Sequence, residues 1–311
     1  MKKLLCMLLA LVMLLSFWGC EEEKTTKTKP KKEEILEEEP LSWMTLPADR
    51  TLTASQYFVY DCETGKFLEL SGSENEKIYP ASITKLFTAY VATQFLRLDQ
   101  KITVGDALNY VAAGSSVAEL ERGDSITTER LVEAMMLPSG NDAAYVLAVE
   151  AGRGLSEKAV TTDEAIYLFV KEMNRQAKAL GMSNTNFANP DGIHQADHYS
   201  SFHDLAILGT VAQEDPVLMS CVGIANDQIS LESGTKTWKN TNALIHEDSQ
   251  YYCPYAIGLK TGQTPSAGSC LLSAFDYHGQ KLVIGVFGCP EADDRFADTL
   301  QLFNDTIGYT G

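Results

Sequence analysis

Two kinds of hydrophobic periodicity divide residues 45–311, and their order along the chain constrains the fold more than any other feature. Segments typical of β-strands lie at both ends of this region, whereas residues 80–215 carry the helical spacing of apolar side chains. Strands from the two ends can join in a single sheet, with the helical block inserted between them. The sequence therefore predicts an α+β fold, in which a five-stranded antiparallel sheet from both ends of the domain carries an inserted helical block.

The predicted strands are short apolar runs bounded by turn residues. The first two are QYFVYD and KFLEL, which a Glu-Thr-Gly turn joins into a hairpin. The other three are YAIGLKTG, GSCLLSAFDY and KLVIGVFG near the end of the chain. A closing amphipathic helix follows over residues 293–308, with Phe296, Leu300 and Phe303 at helical spacing. Within the helical block, Thr127 is the expected N-cap of the segment TTERLVEAMML.

The first 44 residues have the composition of an export segment followed by a linker. Residues 1–19 combine Lys2 and Lys3 with an apolar run and are predicted to be a signal peptide. Gly19-Cys20 resembles a bacterial lipoprotein cleavage site, which implies lipidation of Cys20. An ordinarily cleaved signal and an uncleaved membrane anchor remain alternatives. Residues 20–44 are highly charged and predict a flexible tether, so that residues 45–311 form the folded domain outside the cytoplasm.

The charge balance limits the partners of this chain. It has 42 acidic and 25 basic residues, a formal net charge of −17, and the tether accounts for only a small part of the excess. Such a domain repels nucleic acid and anionic lipid. We therefore expect no nucleic-acid partner, and we expect any membrane attachment to be covalent or apolar.

Five cysteines fall within residues 45–311, at positions 62, 221, 253, 270 and 289. None of them shows the C-x-x-C spacing of a redox or metal site. An exported chain with an odd number of cysteines can hold one or two disulfides and a free thiol. We predict instead that most of them are buried and unpaired, as suits Cys270 and Cys289 in their apolar runs.

The segment YPASITKLFTAY places a serine and a lysine three residues apart at the start of an apolar helix. This spacing puts Ser82 and Lys85 on one face, within hydrogen-bond reach of each other. A serine hydroxyl becomes a good nucleophile when a neighbouring base removes its proton, and a lysine can act as that base if burial lowers its pKa. The pair alone is weak support for catalysis, because a helix-capping serine followed by a surface lysine is common.

Two further motifs follow in order. MLPSGNDAA places Ser139 and Asn141 on a turn between helical segments, where both side chains can project into a cleft. IGLKTGQTPSAGSC ends a strand in Lys260, Thr261 and Gly262, which offer a cation, a hydroxyl and room for a ligand backbone. A capped turn and a charged strand end explain each motif alone, but the three together indicate a serine acyl-transfer site.

At these residues the chain resembles the penicillin-binding serine D,D-peptidases, specifically the low-molecular-mass D-alanyl-D-alanine carboxypeptidases, whose signature is S-x-x-K, S-x-N and K-T-G. The resemblance covers roughly residues 45–310. It extends beyond the motifs to the segments at residues 114–148, 180–208 and 239–245. The resemblance implies the fold shared by penicillin-binding proteins and β-lactamases, and activity on the peptidoglycan stem peptide.

The resemblance also implies a role for each motif residue. Ser82 would attack the carbonyl between two D-alanines, and Lys85 would be its base. Ser139 would pass a proton to the leaving amine, and Asn141 would hold the substrate amide and Lys85. Lys260 would keep this proton relay electropositive.

The remaining implied contacts bind the substrate. Thr261 would bind the terminal carboxylate, and Gly262 would let the ligand backbone approach. Backbone N–H groups of Ser82 and Gln263 would stabilise the oxyanion. Relatives often have His or Tyr at position 263, and this departure leaves the substrate preference open. β-Lactams would act as covalent inhibitors, and no cofactor is implied.

Three other functions fit the residues of the chain less well. A metal-dependent peptidase would need the cluster of His194, Asp197, His198, His203 and Asp204 to bind zinc, but the segment is rich in turn residues and lacks a zinc motif, so we predict no metal. A class A β-lactamase would need a Glu-x-x-x-Asn element, where this chain has Glu172 and Gln176. A non-catalytic, β-lactam-sensing or wall-binding lipoprotein is disfavoured because all the motif residues are present. We therefore predict a serine D,D-carboxypeptidase on the outer face of the bacterial cell membrane.

Overall fold

The structure of the protein, a computed structural model, describes residues 51–308. The predicted signal peptide, the tether and the lipidation site at Cys20 lie outside the described residues. Among residues 51–308, no helix has both the length and the apolar character that crossing a bilayer requires.

The elements occur in the predicted order. The strands are β1 Gln56–Asp61, β2 Lys66–Leu70, β3 Lys77–Ile78, β4 Lys101–Thr103, β5 Ser125–Thr127, β6 Ser200–Ser201, β7 Asn226–Leu231, β8 Gly234–Lys239, β9 Ala256–Thr264, β10 Gly268–Tyr277 and β11 Gln280–Cys289. The α-helices are α1 Thr84–Ala92, α2 Thr128–Met136, α3 Asn141–Gly154, α4 Thr162–Ala179, α5 Phe202–Glu214, α6 Pro216–Cys221 and α7 Asp294–Ile307. Short 3-10 turns cover Ala81–Ile83, Asp106–Tyr110 and Ala243–Ile245.

The central sheet has five antiparallel strands in the order β2-β1-β11-β10-β9. Strands from the two ends of the domain therefore join where β1 pairs with β11, with Tyr57 opposite Val286. This confirms the predicted α+β fold and its sheet. The strand β9 lies at one edge of the sheet, so alternate backbone groups along it are free of sheet partners.

Both faces of the sheet are covered. The helix α5 packs against one face together with the helical block, and α7 packs against the other. Side chains alternate between the two cores along each strand, as Phe58 and Val59 do on β1. On α5, Gly209 allows close contact, because a Cβ atom there would lie 2.5 Å from a methyl carbon of Val283. Burial on both faces explains why β10 and β11 are almost continuously apolar.

Two local predictions are confirmed. Thr127 caps α2, since its side chain accepts a hydrogen bond from the Arg130 N–H at 3.4 Å. All five cysteines of the described chain are free thiols, and four of them are buried, at positions 221, 253, 270 and 289.

The hairpin of β7 and β8 was not predicted. The residues of β7 alternate between exposed and half-buried, and those of β8 are exposed except for buried Lys236 and Trp238. Few residues of the hairpin are apolar, so the sequence lacks a strong strand signal there. Buried Trp238 joins the hairpin to the rest of the domain, because its Nε1 donates a hydrogen bond to the Ala118 carbonyl at 3.0 Å. The hairpin leads directly into residues 240–242, which border the candidate site.

Candidate active site

The predicted serine and lysine lie together at the start of α1. Ser82 is part of the 3-10 turn Ala81–Ile83 and is partly exposed, and Lys85 lies in the first turn of the helix. Nζ of Lys85 donates to Oγ of Ser82 at 2.8 Å and to the backbone oxygen of Asp191 at 2.7 Å. The hydrogen bond predicted from the three-residue spacing is therefore formed.

The environment of Lys85 suits a base. The residue is 0% exposed, and burial lowers its pKa to about 8, while the charges of Asp191 and Asp142 act in the opposite direction. A lysine in water has a pKa near 10.4 and is almost entirely protonated at neutral pH. Burial therefore gives Lys85 a useful fraction of neutral amine close to physiological pH.

Two residues of the site have strained backbones. Ala81, just before the nucleophile, has a φ of 48°, and Ser139 has a φ of 63°. Residues other than glycine adopt this left-handed region at a cost, and such strain is concentrated at functional sites. The strain at Ala81 and Ser139 is therefore consistent with a functional site, where the position of the backbone matters more than its local stability.

Two glycines pack directly against the turn that carries Ser82. A Cβ atom at Gly192 would lie 1.9 Å from the Ala81 carbonyl oxygen. A Cβ atom at Gly262 would lie 2.9 Å from the Pro80 oxygen and 3.3 Å from the Ser82 nitrogen. These contacts place the K-T-G strand beside the nucleophile, as predicted.

The third motif occupies the edge strand β9. Lys260 is fully buried, and its Nζ donates to the Thr261 carbonyl at 3.2 Å and to the hydroxyls of Thr261 and Thr241 at 3.4 Å each. Burial holds the pKa of Lys260 well below its usual value, and the charges of Lys85 and Arg295 act in the same direction. The packing of Gly262 against the turn of Ser82 brings this strand, and Lys260 with it, next to the Ser82–Lys85 pair.

Thr241 was not predicted as a site residue. Its Oγ1 lies 2.5 Å from Oγ1 of Thr261, and its N–H donates to the Leu137 carbonyl at 3.0 Å. It therefore connects the K-T-G strand to the loop that carries Ser139 and Asn141. Thr241 lies within residues 239–245, which resemble the family, but its hydrogen bonds depend on contacts that a single sequence does not reveal.

Arg295 is a second residue that the sequence did not single out. It lies on α7, and its Nη1 donates to the Gly262 carbonyl at 3.2 Å. The C=O and N–H of a trans peptide point in opposite directions, and no peptide bond of the described chain is cis. The contact therefore turns the N–H of Gln263 away from Arg295.

Ser139 and Asn141 lie on the turn between α2 and α3, and both are buried. The N–H of Asn141 donates to the Ser116 carbonyl at 2.9 Å. Its side-chain oxygen Oδ1 is buried and has no hydrogen-bond partner within residues 51–308. The hydrogen bond from Lys85 to Asn141 that the resemblance implies is thus not formed, and an acceptor is left open in the site.

Asp142 fixes the loop that faces this turn. Its carboxylate accepts hydrogen bonds from the N–H groups of Ala118, Leu120 and Ala143 at 2.8 to 3.0 Å. Burial raises the pKa of Asp142, and these donors oppose that rise. Because Trp238 also binds the Ala118 carbonyl, the wall of the site beside Asn141 is held from two sides.

The histidines of the cluster around residues 194–204 contact other protein groups. Nε2 of His198 lies 2.8 Å from the Thr84 hydroxyl, and its Nδ1 accepts from the Ala188 N–H at 3.1 Å. His203 contacts Asp204 at 3.1 Å, and the His194 ring packs edge-on against Tyr79. In the part of the chain that the structure describes, no three His, Cys, Asp or Glu side chains are grouped to hold a metal ion.

The carboxylate of Glu172 is engaged in hydrogen bonds and is not free to act as a base. It lies on α4 and accepts two hydrogen bonds of 2.7 Å from Arg175, and a third of 2.9 Å from Gln176. The bonds from Arg175 lower its pKa. A carboxylate held in this way is a poor general base, because its proton affinity is reduced.

Comparisons with known proteins agree with these features. The sequence pattern of the D-alanyl-D-alanine carboxypeptidase family matches residues 44–291. A D-alanyl-D-alanine carboxypeptidase of Streptomyces sp. (strain K15) is 32% identical over 266 residues, which are 82% of this chain and 87% of the relative. D-alanyl-D-alanine carboxypeptidase DacF of Bacillus subtilis (strain 168) is 31% identical over 248 residues, which are 78% of this chain but only 59% of the relative.

The fold is also similar to that of a solved structure. The crystal structure of the Streptomyces K15 DD-transpeptidase superposes with a TM-score of 0.74 at 30% sequence identity. The match covers 83% of this chain and 98% of that chain.

Proposed function

Because the chain belongs to the D-alanyl-D-alanine carboxypeptidase family, we propose that it removes the terminal D-alanine from peptidoglycan stem peptides through an acyl-enzyme on Ser82. One observation carries the proposal. A fully buried lysine donates a 2.8 Å hydrogen bond to the hydroxyl of a partly exposed serine, in an environment that lowers the pKa of the amine to about 8. This arrangement supplies a nucleophile and its base.

In the proposed acylation, neutral Lys85 accepts the proton of Ser82 while Oγ attacks the carbonyl carbon between the two D-alanines. The N–H groups of Ser82 and Gln263 stabilise the oxyanion, and the Arg295 contact that turns the Gln263 N–H away from α7 supports this role. The tetrahedral intermediate then breaks its C–N bond. Ser139 donates a proton to the leaving amine and regains one from protonated Lys85.

Deacylation returns the enzyme to its starting state. Water attacks the ester carbonyl, Oγ of Ser82 leaves with a proton, and the shortened stem peptide departs. The net reaction consumes one water and releases one D-alanine. No cofactor takes part.

Substrate binding uses the other side chains of the cleft. Thr261 binds the terminal carboxylate, and buried Lys260 adds a positive field beside it. Gly262 lets the peptide approach, and the open acceptor Oδ1 of Asn141 takes a substrate amide N–H. β-Lactams carry an amide and a carboxylate in the same relative positions as the D-Ala-D-Ala end of the stem peptide. We therefore propose that they acylate Ser82 as covalent inhibitors.

A β-lactamase reading receives no support from Glu172. Both of its carboxylate oxygens are engaged by Arg175, and its pKa is lowered. Without a base for rapid attack by water, the penicillin ester persists. Slow release of the drug distinguishes an inhibited peptidase from a β-lactamase.

We further propose a location at the outer face of the bacterial cell membrane. Residues 1–19 are the export signal, Cys20 carries the lipid, residues 20–44 are the tether and residues 45–311 are the catalytic domain. The net charge of −17 favours a covalent lipid over electrostatic attachment, and it disfavours nucleic acid as a partner.

A turnover assay tests the activity. The purified domain is incubated with a diacyl peptide ending in D-Ala-D-Ala, and free D-alanine is measured with and without an added amino acceptor. Release of D-alanine that is absent in Ser82→Ala supports the proposal, and the acceptor measures how much transfer accompanies hydrolysis. Absence of release and of transfer in folded protein would contradict it.

A further inference from the structure

Asp191 lies beside the catalytic pair, and the proposed reaction gives its side chain no role. The residue pair Asp191-Gly192 is typical of a turn. The structure confirms the turn, since Oδ1 of Asp191 accepts from the Ile193 N–H at 3.2 Å. It also buries the residue to 1% exposure, and the second carboxylate oxygen, Oδ2, is buried with no hydrogen-bond partner within residues 51–308.

The loop that carries Asp191 is held firmly against the nucleophile. The Pro190 carbonyl accepts from Thr88 of α1 at 2.7 Å, and Asn189 bridges Gly192 and Ile193 with two bonds of 2.8 Å. The backbone oxygen of Asp191 accepts from Nζ of Lys85 at 2.7 Å. The backbone of Asp191 is therefore held against the amine, and its carboxylate is near enough for its charge to act on Lys85.

A buried carboxylate oxygen without a hydrogen bond is unfavourable unless a positive charge compensates it. Two charged groups act on the amine of Lys85 from the elements packed around it, Asp191 from its loop and Asp142 from α3. The charge of Lys85 acts in turn on Lys260 of β9. His198 and Tyr145 are also near, but burial lowers the pKa of His198 to about 4 and raises that of Tyr145 further above neutrality, so both are neutral near pH 7.

The two carboxylates near Lys85 differ in their partners. Both oxygens of Asp142 accept backbone hydrogen bonds, which satisfy much of its charge. Oδ2 of Asp191 has no such donor. Burial raises the pKa of Asp191, and the charge of Lys85 is the largest of the effects that oppose this rise. Consistent with this, Asp191 is the strongest of the charges that raise the pKa of Lys85 against the effect of burial.

We propose that Asp191 is a positioning residue for acylation: its backbone oxygen aims the amine of Lys85 at Ser82, and its carboxylate sets how readily that amine gives up its proton. The inference rests on the proposed function, in which Lys85 is the base. It predicts that the enzyme without this carboxylate acylates faster at low pH, because less alkali is needed to obtain the neutral amine.

The experiment compares the pH dependence of Ser82 acylation by benzylpenicillin in the wild-type protein and in Asp191→Asn. Asparagine keeps the shape and the acceptor for the Ile193 N–H but removes the charge. Removing an anion close to an amine lowers the pKa of the amine by about one unit or more. We expect the rising limb of the profile to move down by about one pH unit, so that acylation well below the wild-type midpoint is about tenfold faster.

Asp61→Asn is the matched control. Asp61 is also a buried turn aspartate, whose Oδ1 accepts from the N–H groups of Glu63 and Thr64, but it is not among the charges that act on Lys85. The midpoint of this variant should equal that of the wild type. Thermal unfolding and the stoichiometry of penicillin bound at high pH establish how much of each variant is folded.

Each possible result either supports or contradicts the proposed role of Asp191. A lower midpoint in Asp191→Asn with no change in Asp61→Asn supports the proposal, and an unchanged or higher midpoint overturns it. If Asp191→Asn does not fold, Asp191→Ser is measured in its place. If neither folds, the carboxylate is needed for the structure rather than for tuning Lys85, and the proposal fails. Absence of acylation in the folded wild-type protein contradicts the proposed function instead.

Discussion

Nζ of Lys85 lies 2.8 Å from Oγ of Ser82, and the same amine is also bound by the backbone oxygen of Asp191 at 2.7 Å. The second contact fixes the direction of the first, so the proton of Ser82 has a prepared acceptor without an intervening water. Such preorganisation reduces the reorganisation that accompanies proton transfer. The roles of the residues around this pair can be separated by experiment.

The two buried lysines should respond differently to arginine. Lys85→Arg should abolish acylation, because a guanidinium does not release its proton near neutral pH. Lys260→Arg keeps the positive charge beside Thr261 and should retain part of the activity. Acylation rates by a β-lactam and D-alanine release measure both, with circular dichroism as the control for folding. Complete loss in both folded variants would argue against Lys85 as the base.

The acylation rate should rise with pH through a midpoint near 8. The base must be neutral to accept the Ser82 proton, and burial lowers the pKa of Lys85 to about 8. Activity is therefore small well below this pH and increases as the amine loses its proton. Single-turnover acylation measured from pH 6 to 10 tests this. A midpoint near the ordinary lysine value, about 10.4, would show that burial does not activate Lys85.

Gly192→Ala should damage the site more than the same change at Gly123. Both glycines have positive φ, 85° and 95°, so each alanine costs roughly 1–2 kcal/mol of backbone strain. Only at position 192 does the new methyl meet a neighbour, 1.9 Å from the Ala81 oxygen, whereas nothing lies within 4 Å at Gly123. We expect Gly192→Ala to lose acylation and Gly123→Ala to keep it. Equal acylation rates in the two folded variants would contradict the close packing.

The sequence predicted those parts of the structure that have a local pattern. The strands of the central sheet, the closing helix and the Thr127 cap all carry periodicity or capping signals within a few residues. The spacing of Ser82 and Lys85 likewise fixes their contact, because a single turn joins them. These features are set by the backbone geometry of one segment.

Other features depend on contacts between distant segments. Thr241 meets Thr261 across twenty positions, Arg295 of α7 reaches Gly262 of β9, and Asp191 meets Lys85 across more than a hundred residues. Threonine, arginine and a turn aspartate are common surface residues, so nothing in their own neighbourhoods marks them. The β7–β8 hairpin was missed for a related reason, since its strands bury few apolar side chains.

Cys20→Ala should release the protein from the membrane fraction. Thioether lipidation needs the cysteine thiol, and the charged tether has no apolar surface to replace it. Without the lipid, the variant should also differ in size from the parent. Fractionation of cells expressing each form, followed by immunoblotting, makes the comparison. If the variant remains as membrane-bound as the parent and has the same size, Cys20 is not lipidated.

The most direct test of the central claim is the mass of the intact protein after brief exposure to benzylpenicillin. The account predicts one added drug mass that maps by digestion to the peptide containing Ser82, persists after the free drug is removed, and is absent in Ser82→Ala. Its persistence follows from the engagement of Glu172 by Arg175, which leaves no carboxylate there to drive rapid deacylation. Rapid turnover of the drug without an accumulating adduct would instead indicate a β-lactamase, and folded protein that shows neither adduct nor hydrolysis would contradict acylation of Ser82 altogether.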